Sequence, residues 1–340
     1  MAKAKKNVKE YVGELRVTGE IDLAQFWPNK KSDADTVTVQ ATNLEFSRDP
    51  KTKPFKKTTV FSGAWIGKSK GKRQLVVHKG GKITIRLQGI DATELHFKEY
   101  FKSGLKGNVE YREFLAETAT TKLHDFLAGG GGSKVACRVT TRVDLPNQVF
   151  DIYRRFVGDV WVKVGGQWKN ANHWLVRQAW AFPSFYDTMR NEEIQAILKL
   201  ASQAKKALGF KSRVWGQLIP HVGPLNTGMQ YRSKGQPNPQ ADIGNVIMPK
   251  LFRRLVTFTI DGLNTPTTDN FHDYLGKLKD DLWVNTTTFL KNRGAKRNVT
   301  LAPPLDNANN FQADPEKLVF SEKTTPALMG ANGKPISRFE

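Results

Sequence analysis

"KITIRLQGIDATELH", residues 82 to 96, changes character in its middle. The first half alternates Ile83, Ile85 and Leu87 with Thr84 and Arg86, the period-two pattern of a strand with one buried face. Gly89 breaks the alternation, and Asp91 and Glu94 follow. The chain as a whole has 53 Lys and Arg against 32 Asp and Glu, a net +21. Such a charge draws in polyanions, and carboxylates beside a strand arginine run against it. Taken alone, the stretch reads as a solvated turn. Read chemically, Asp91 can ligate a cation while Glu94 reaches a water.

The surroundings decide the fold class. Upstream, "GELRVTGEIDLAQFW", "DTVTVQATNLEF", "TTVFSGAWIG" and "RQLVVHKGG" are short β-rich runs punctuated by Gly, Lys, Asp and Asn. Downstream, Leu115, Ala119, Leu123 and Phe126 recur at helical spacing before a glycine run. Two further strands follow, "KVACRVTTRV" and "FVGDVWVKV", the second turning at Gly165-Gly166. "NANHWLVRQAW" reads as a short helix. "NEEIQAILKLASQAKKALG" reads as a longer one, with Ile194, Ile197, Leu198, Ala201 and Leu208 on one face and Gly209 ending it. The expectation is a mainly β protein with α: a small barrel with helices packed on it.

The rest of the chain differs. From position 220 there are 15 basic and 11 acidic residues, a net of +4 that leaves +17 to the first 219. The polyanion-binding part is therefore placed in residues 1–219. Residues 220–245 have the Gly, Pro, Gln and Asn content of a linker or long loop, and 246–340 form a C-terminal extension of unknown function. In it, Phe271, Tyr274, Leu275, Leu278 and Leu282 fall at helical spacing, while "PKLFRRLVTFTI" fits a strand and a helix equally. The single cysteine, Cys137, excludes an internal disulfide framework and reads as a buried thiol. No apolar run has the length of a membrane span or of a signal peptide core, so a cytoplasmic location and no membrane partner are the default expectation. Nucleic acid is the leading partner class.

Three segments carry groups suited to phosphodiester chemistry, which needs cations around the phosphate and a base or orienting group for water. "SDADTVTV" puts Asp33 and Asp35 at the entrance to a strand. "RLQGIDATELH" supplies Arg86, Asp91 and Glu94. "DIYRRFVGDVWV" supplies Arg155, whose guanidinium pairs with phosphate and keeps its proton. Each segment alone is most simply an ordinary turn or surface arginine. No HExxH pair, zinc-site spacing or Walker-type glycine loop competes with them.

In combination and in order, "DADTVTV", "RLQGIDATE", "DIYRRFVGDVWV", "NHWLVRQAWA" and "AILKLASQAKKALGFKSRVW" resemble the staphylococcal nuclease-like (thermonuclease) family over roughly residues 14–216. That resemblance implies an oligonucleotide-binding (OB) type five-stranded barrel with helices, and Ca2+-dependent cleavage of DNA or RNA phosphodiesters. It implies Asp35, Asp91 and the Ala92 carbonyl as calcium ligands, and Glu94 as the group that orients or deprotonates water. Arg86 and Arg155 would be the arginines that clamp the phosphate. Tyr153, with Arg154 beside it, would lie near the nucleotide's terminal phosphate, and Phe185 or Tyr186 would stand where a base-stacking tyrosine is expected. A non-catalytic nucleic-acid-binding module on the same barrel is the rival reading.

The sequence departs from the family pattern in four places. Ala34 and Arg154 stand where glycine is usual, and Thr93 stands where proline is usual. The stretch at about 41–81 is an insertion, expected to extend the strands or to cover the cleft.

Overall fold

The computed structural model describes residues 13–30, 32–69, 71–97, 110–207, 213–218, 230–231, 246–264, 270–278, 283–301, 304–306, 310–321 and 327–339. Alternation builds its barrel. In β1 (Glu14–Asp22) Leu15, Val17 and Ile21 are buried and their neighbours are not, and β2 (Thr36–Ser47) repeats this with Val37 and Val39. The inserted segment then continues β2 to Ser47 and returns as β3 (Lys56–Lys57). It ends in a hairpin of β4 (Trp65–Ser69) and β5 (Lys72–Leu75). It thus lengthens the barrel wall and adds a small side sheet.

β6 (Lys82–Leu87) holds the deciding stretch, with Ile83, Ile85 and Leu87 buried, and β7 (Ile90–Ala92) follows across the Gly89 turn. After β8 (Glu110–Tyr111) comes α1 (Ala116–Ala128), where Ala119, Leu123 and Leu127 are buried. Phe126, expected on that face, is half-buried and stacks on Trp174. β9 (Lys134–Arg142) and β10 (Phe156–Val164) come next. β10 turns through Gly165 and Gly166, at φ +60° and +78°, into β11 (Gln167–Asn170). α2 (Ala171–Arg177), β12 (Ala181–Pro183), β13 (Phe185–Tyr186) and α3 (Asn191–Lys206) complete this part. α3 buries Ile194, Ile197, Leu200, Ala201 and Ala204, while Leu198 is only half-buried. Leu208 and Gly209 lie outside the described residues.

β1 pairs with β2 and β9, β9 with β10, β10 with β6, and β6 with β2. The five strands close on themselves as the OB-type barrel, with β10 and β6 parallel and the other pairs antiparallel. Cys137 is buried inside it, and burial pushes its thiol up to about 12, as suits a structural residue.

The remaining elements are α4 (Val214–Gln217), β14 (Gln230–Tyr231), α5 (Pro249–Asn264), α6 (Phe271–Lys277), β15 (Trp283–Asn285), α7 (Thr286–Lys291), β16 (Leu318–Phe320) and β17 (Leu328–Met329). "PKLFRRLVTFTI" is therefore helical, burying Leu251, Phe252, Leu255, Val256 and Ile260. α6 ends before the predicted Leu278, and Leu282 lies outside the described residues.

Packing runs across position 220. β16 pairs in parallel with β13, β17 pairs with β4, and β14 pairs with β8. Val284, Phe289, Val319, Leu328 and Phe339 belong to the same buried cluster as the barrel interior. A second cluster gathers Tyr111 with Leu251, Phe252, Val256, Phe271 and Phe320. Each buried side chain of this size contributes about 1.5–3 kcal/mol, so these contacts fix the later segment against the barrel.

Candidate active site

The start of β2 and the end of β6 lie side by side, Thr36 opposite Arg86. Just before Thr36 the chain makes a tight turn in which Asp33 Oδ1 accepts from the Asp35 amide at 3.3 Å. Ala34 is buried in this turn and is not among the described non-glycine residues with left-handed φ, so a Cβ is tolerated where the family has glycine. Asp35 is thereby brought onto Arg86.

Gly89 carries the chain from β6 to β7. Its φ is +74°, and a Cβ there would come within 2.4 Å of Ile197 Cδ1. β7 is pinned antiparallel to β12, Asp91 opposite Phe182. Beyond it the chain at Glu94 is clamped by a pair of bonds. The Glu94 amide donates to Glu113 Oε2 at 2.8 Å, and the Glu113 amide donates to the Glu94 carbonyl at 2.7 Å. Thr93, in the family's proline position, is buried.

The predicted residues form one hydrogen-bonded network. Arg86 pairs with Asp35 and, at 2.5 Å, with Asp91. Asp35 Oδ2 accepts from the Ala92 amide at 3.3 Å, and Asp35 Oδ1 accepts from Thr36 Oγ1 at 2.9 Å. Thr36 Oγ1 in turn accepts from Arg155 Nη1 at 3.1 Å. Arg155 is aimed by Asp151, which takes its Nε at 2.7 Å and its backbone amide at 2.9 Å. Glu94 joins through a residue that motif spacing does not reveal. Arg253, on α5, pairs with Glu94 and donates from Nη2 to Asp91 Oδ2 at 3.0 Å. Asp35, Asp91, Glu94, Arg86 and Arg155 thus converge.

Of the other candidates, Tyr153 is 67% exposed, with the Arg155 guanidinium 5.4 Å from its ring centre. Arg154 has φ +70°, the left-handed conformation that explains the family's glycine there, and its guanidinium lies against Gly67 of the inserted hairpin. Phe185 is fully buried in the barrel core, so its ring is closed to a base; this narrows the stacking choice to Tyr186, which is half-buried. Asn172, also unforeseen, is fully buried. It accepts from the Val160 amide at 2.9 Å and donates to the Gln88 carbonyl at 2.9 Å and the Gly158 carbonyl at 3.2 Å, fixing the turn that presents Asp91.

Burial and the neighbouring charges set protonation. Burial would push Asp91 up, but Arg253 and Arg86 hold it down to about 2. Glu94 is raised, chiefly by burial, against the pull of Arg253. Asp33 is raised well above the usual carboxylate range by burial and by Asp35, and Glu113 by burial and by Glu94. Arg86 and Arg253 resist the effect of burial because of the carboxylates they face, and are held more strongly protonated than usual.

Asp35 and Asp91 share the Arg86 guanidinium, a pair of hard oxygen donors of the type that calcium takes. Among the described residues no group of three or more His, Cys, Asp or Glu side chains is gathered to hold a metal ion. The donor types fit a hard cation, and the rest of its shell would fall to backbone carbonyl and water.

The family model described as "Staphylococcal nuclease homologue" matches residues 84–215. The match takes in Arg86, Asp91, Glu94 and Arg155; Asp35 precedes it and Arg253 follows it. No match is found among curated proteins.

Proposed function

We propose that this chain, whose residues 84–215 match the family model described as "Staphylococcal nuclease homologue", is a phosphodiester hydrolase acting on DNA or RNA. The observation that carries this reading is the single network joining Asp35, Arg86, Asp91, Glu94 and Arg155. The net +21 charge supports a polyanionic substrate.

In this reading Glu94 orients the attacking water and accepts its proton. Its clamp to Glu113 keeps the backbone at that point fixed. Arg86 and Arg155 turn N–H groups from their carboxylate partners to the phosphoryl oxygens, where negative charge accumulates. Tyr153, Arg154 and Tyr186 flank the nucleotide. A hard divalent cation, calcium in the family's pattern, would be held by Asp35, Asp91 and the Ala92 carbonyl, and would supply positive charge beside the phosphate.

The test is a gel assay of the full chain on single- and double-stranded DNA and RNA, with Ca2+, Mg2+ or chelator. Wild type is expected to give product that chelation suppresses, and Glu94→Gln is expected to be slower by roughly 10²–10⁴-fold. Robust cutting by Glu94→Gln refutes the mechanism. Salt-sensitive binding with no product refutes hydrolysis and leaves a binding module.

A further inference from the structure

Arg253 lies outside the matched family segment, yet it occupies the centre of the site. Nη2 donates to Asp91 Oδ2 at 3.0 Å, Nη1 lies 3.4 Å from Asp91 Oδ1, and Nη1 also donates to Glu94 Oε1. One guanidinium therefore ties the two carboxylates together. The fork matters, because a planar group with N–H donors in fixed directions sets the orientation of both partners, which a point charge does not.

The support behind Arg253 is closely packed. Leu251, Phe252, Leu255 and Val256 flank it on α5 and are buried in the cluster that includes Tyr111, Phe271, Leu318 and Phe320. β16, which carries Leu318 and Phe320, is hydrogen-bonded to β13, and β13 follows directly on β12, the partner of the Asp91 strand. The helix that holds Arg253 is thus built onto the same strands that hold Asp91. It is not hung over the site as a detachable lid.

Charge points the same way. Among the described residues, the barrel part pairs Arg86 with Asp35 and Asp91, and Arg155 with Asp151, while the cation paired with Glu94 is Arg253. A buried carboxylate left without a paired cation is strongly destabilising. The later segment provides the missing cation where Glu94 needs an anchor.

We propose that Arg253 is a positioning residue for hydrolysis: it holds the Glu94 carboxylate in the orientation from which it addresses water, so that residues beyond 246 complete the active site. This rests on the hydrolase reading above.

The experiment compares full-length wild type, Arg253→Ala, Arg253→Lys, Glu94→Gln and the Arg253→Ala/Glu94→Gln double variant, with steady-state kinetics on one oligonucleotide. Arg253→Ala is expected to lower kcat about tenfold or more and change KM less than about threefold, because a positioning role acts on the chemical step. Arg253→Lys, which restores charge without the fork, is expected to recover part of kcat and also serves if the alanine variant fails to fold. In the Glu94→Gln background, removing Arg253 should produce no further loss. Wild-type or higher kcat in Arg253→Ala overturns the proposal and makes α5 a plug. A loss that persists in full without Glu94 also overturns it. Wild type that cuts nothing overturns the hydrolase reading, and this inference with it.

Discussion

Replacing Arg86 by Met keeps most of the stem volume and removes the cation between Asp35 and Asp91. Arg86 and Arg253 together hold Asp91 at about 2, against an ordinary value of 3.8 and against burial. That difference alone corresponds to roughly 2 kcal/mol of stability, present above pH ~4 and lost as pH falls toward 2. Without Arg86 only Arg253 still opposes the burial of Asp91, and Asp35 loses its guanidinium partner. The ionised pair of carboxylates then costs more stability at high pH than at low. Breaking a buried pair in this way costs about 3–5 kcal/mol when the carboxylates are ionised, and less where one of them takes up a proton. Urea unfolding of Arg86→Met and wild type at pH 5 and pH 8 measures this directly. The variant should be less stable at both, with the larger deficit at pH 8. A deficit below about 1 kcal/mol at pH 8, or one equal at the two pH values, would refute the electrostatic account of the site. The same variant should lose roughly 10²–10³-fold in kcat, since a donor to the phosphate is gone.

Two other positions test the framework. Asn172→Ala removes the side chain that bonds the Val160 amide and the Gln88 carbonyl, while the Gly158 carbonyl keeps the Gln88 amide as donor; it should cost about 2–4 kcal/mol in denaturant unfolding. A cost under 1 kcal/mol would mean that the turn before Asp91 is held by something else. Asp159, on β10, is pushed up to about 7 by burial and by Glu193. A carboxyl raised in the fold costs stability as pH climbs from ~4 to ~7, here by roughly 4 kcal/mol in total. Asp159→Asn should flatten that pH dependence and stabilise the protein at pH 8; an unchanged slope in a pH series of unfolding curves would contradict it.

What the sequence makes legible is local. Ile83, Ile85 and Leu87 announce their strand by alternation, and the barrel follows from several such runs in order. Asp35, Arg86, Asp91, Glu94 and Arg155 are recoverable because each sits in a short motif whose neighbours constrain the backbone, as the Gly89 turn does for Asp91. Phe185 shows the limit of that reasoning. An aromatic residue next to a tyrosine gives no sign of which ring is buried until β13 is found paired with β16, a strand more than a hundred positions later in the chain. Asn172 has the same difficulty, since an asparagine near a helix start reads as a cap. That role belongs to Asn170, whose side chain accepts from the His173 amide.

Arg253 is the clearest case. Its signal was a basic pair inside an apolar run, which fits a strand or a helix, and nothing in that run names a partner 159 residues away. The composition change near position 220 also suggests a boundary, because net charge drops there. Composition reports what faces solvent, however, and cores are set by what does not. Val284, Phe289, Val319 and Leu328 fill the same interior as the barrel strands. α5, seated on the second cluster with Tyr111, Phe271 and Phe320, can place one guanidinium between Asp91 and Glu94 with the accuracy that a loop would lack. Asp91 and Glu94 share that one guanidinium, and a pairing between segments so far apart can be seen only once the side chains are in place.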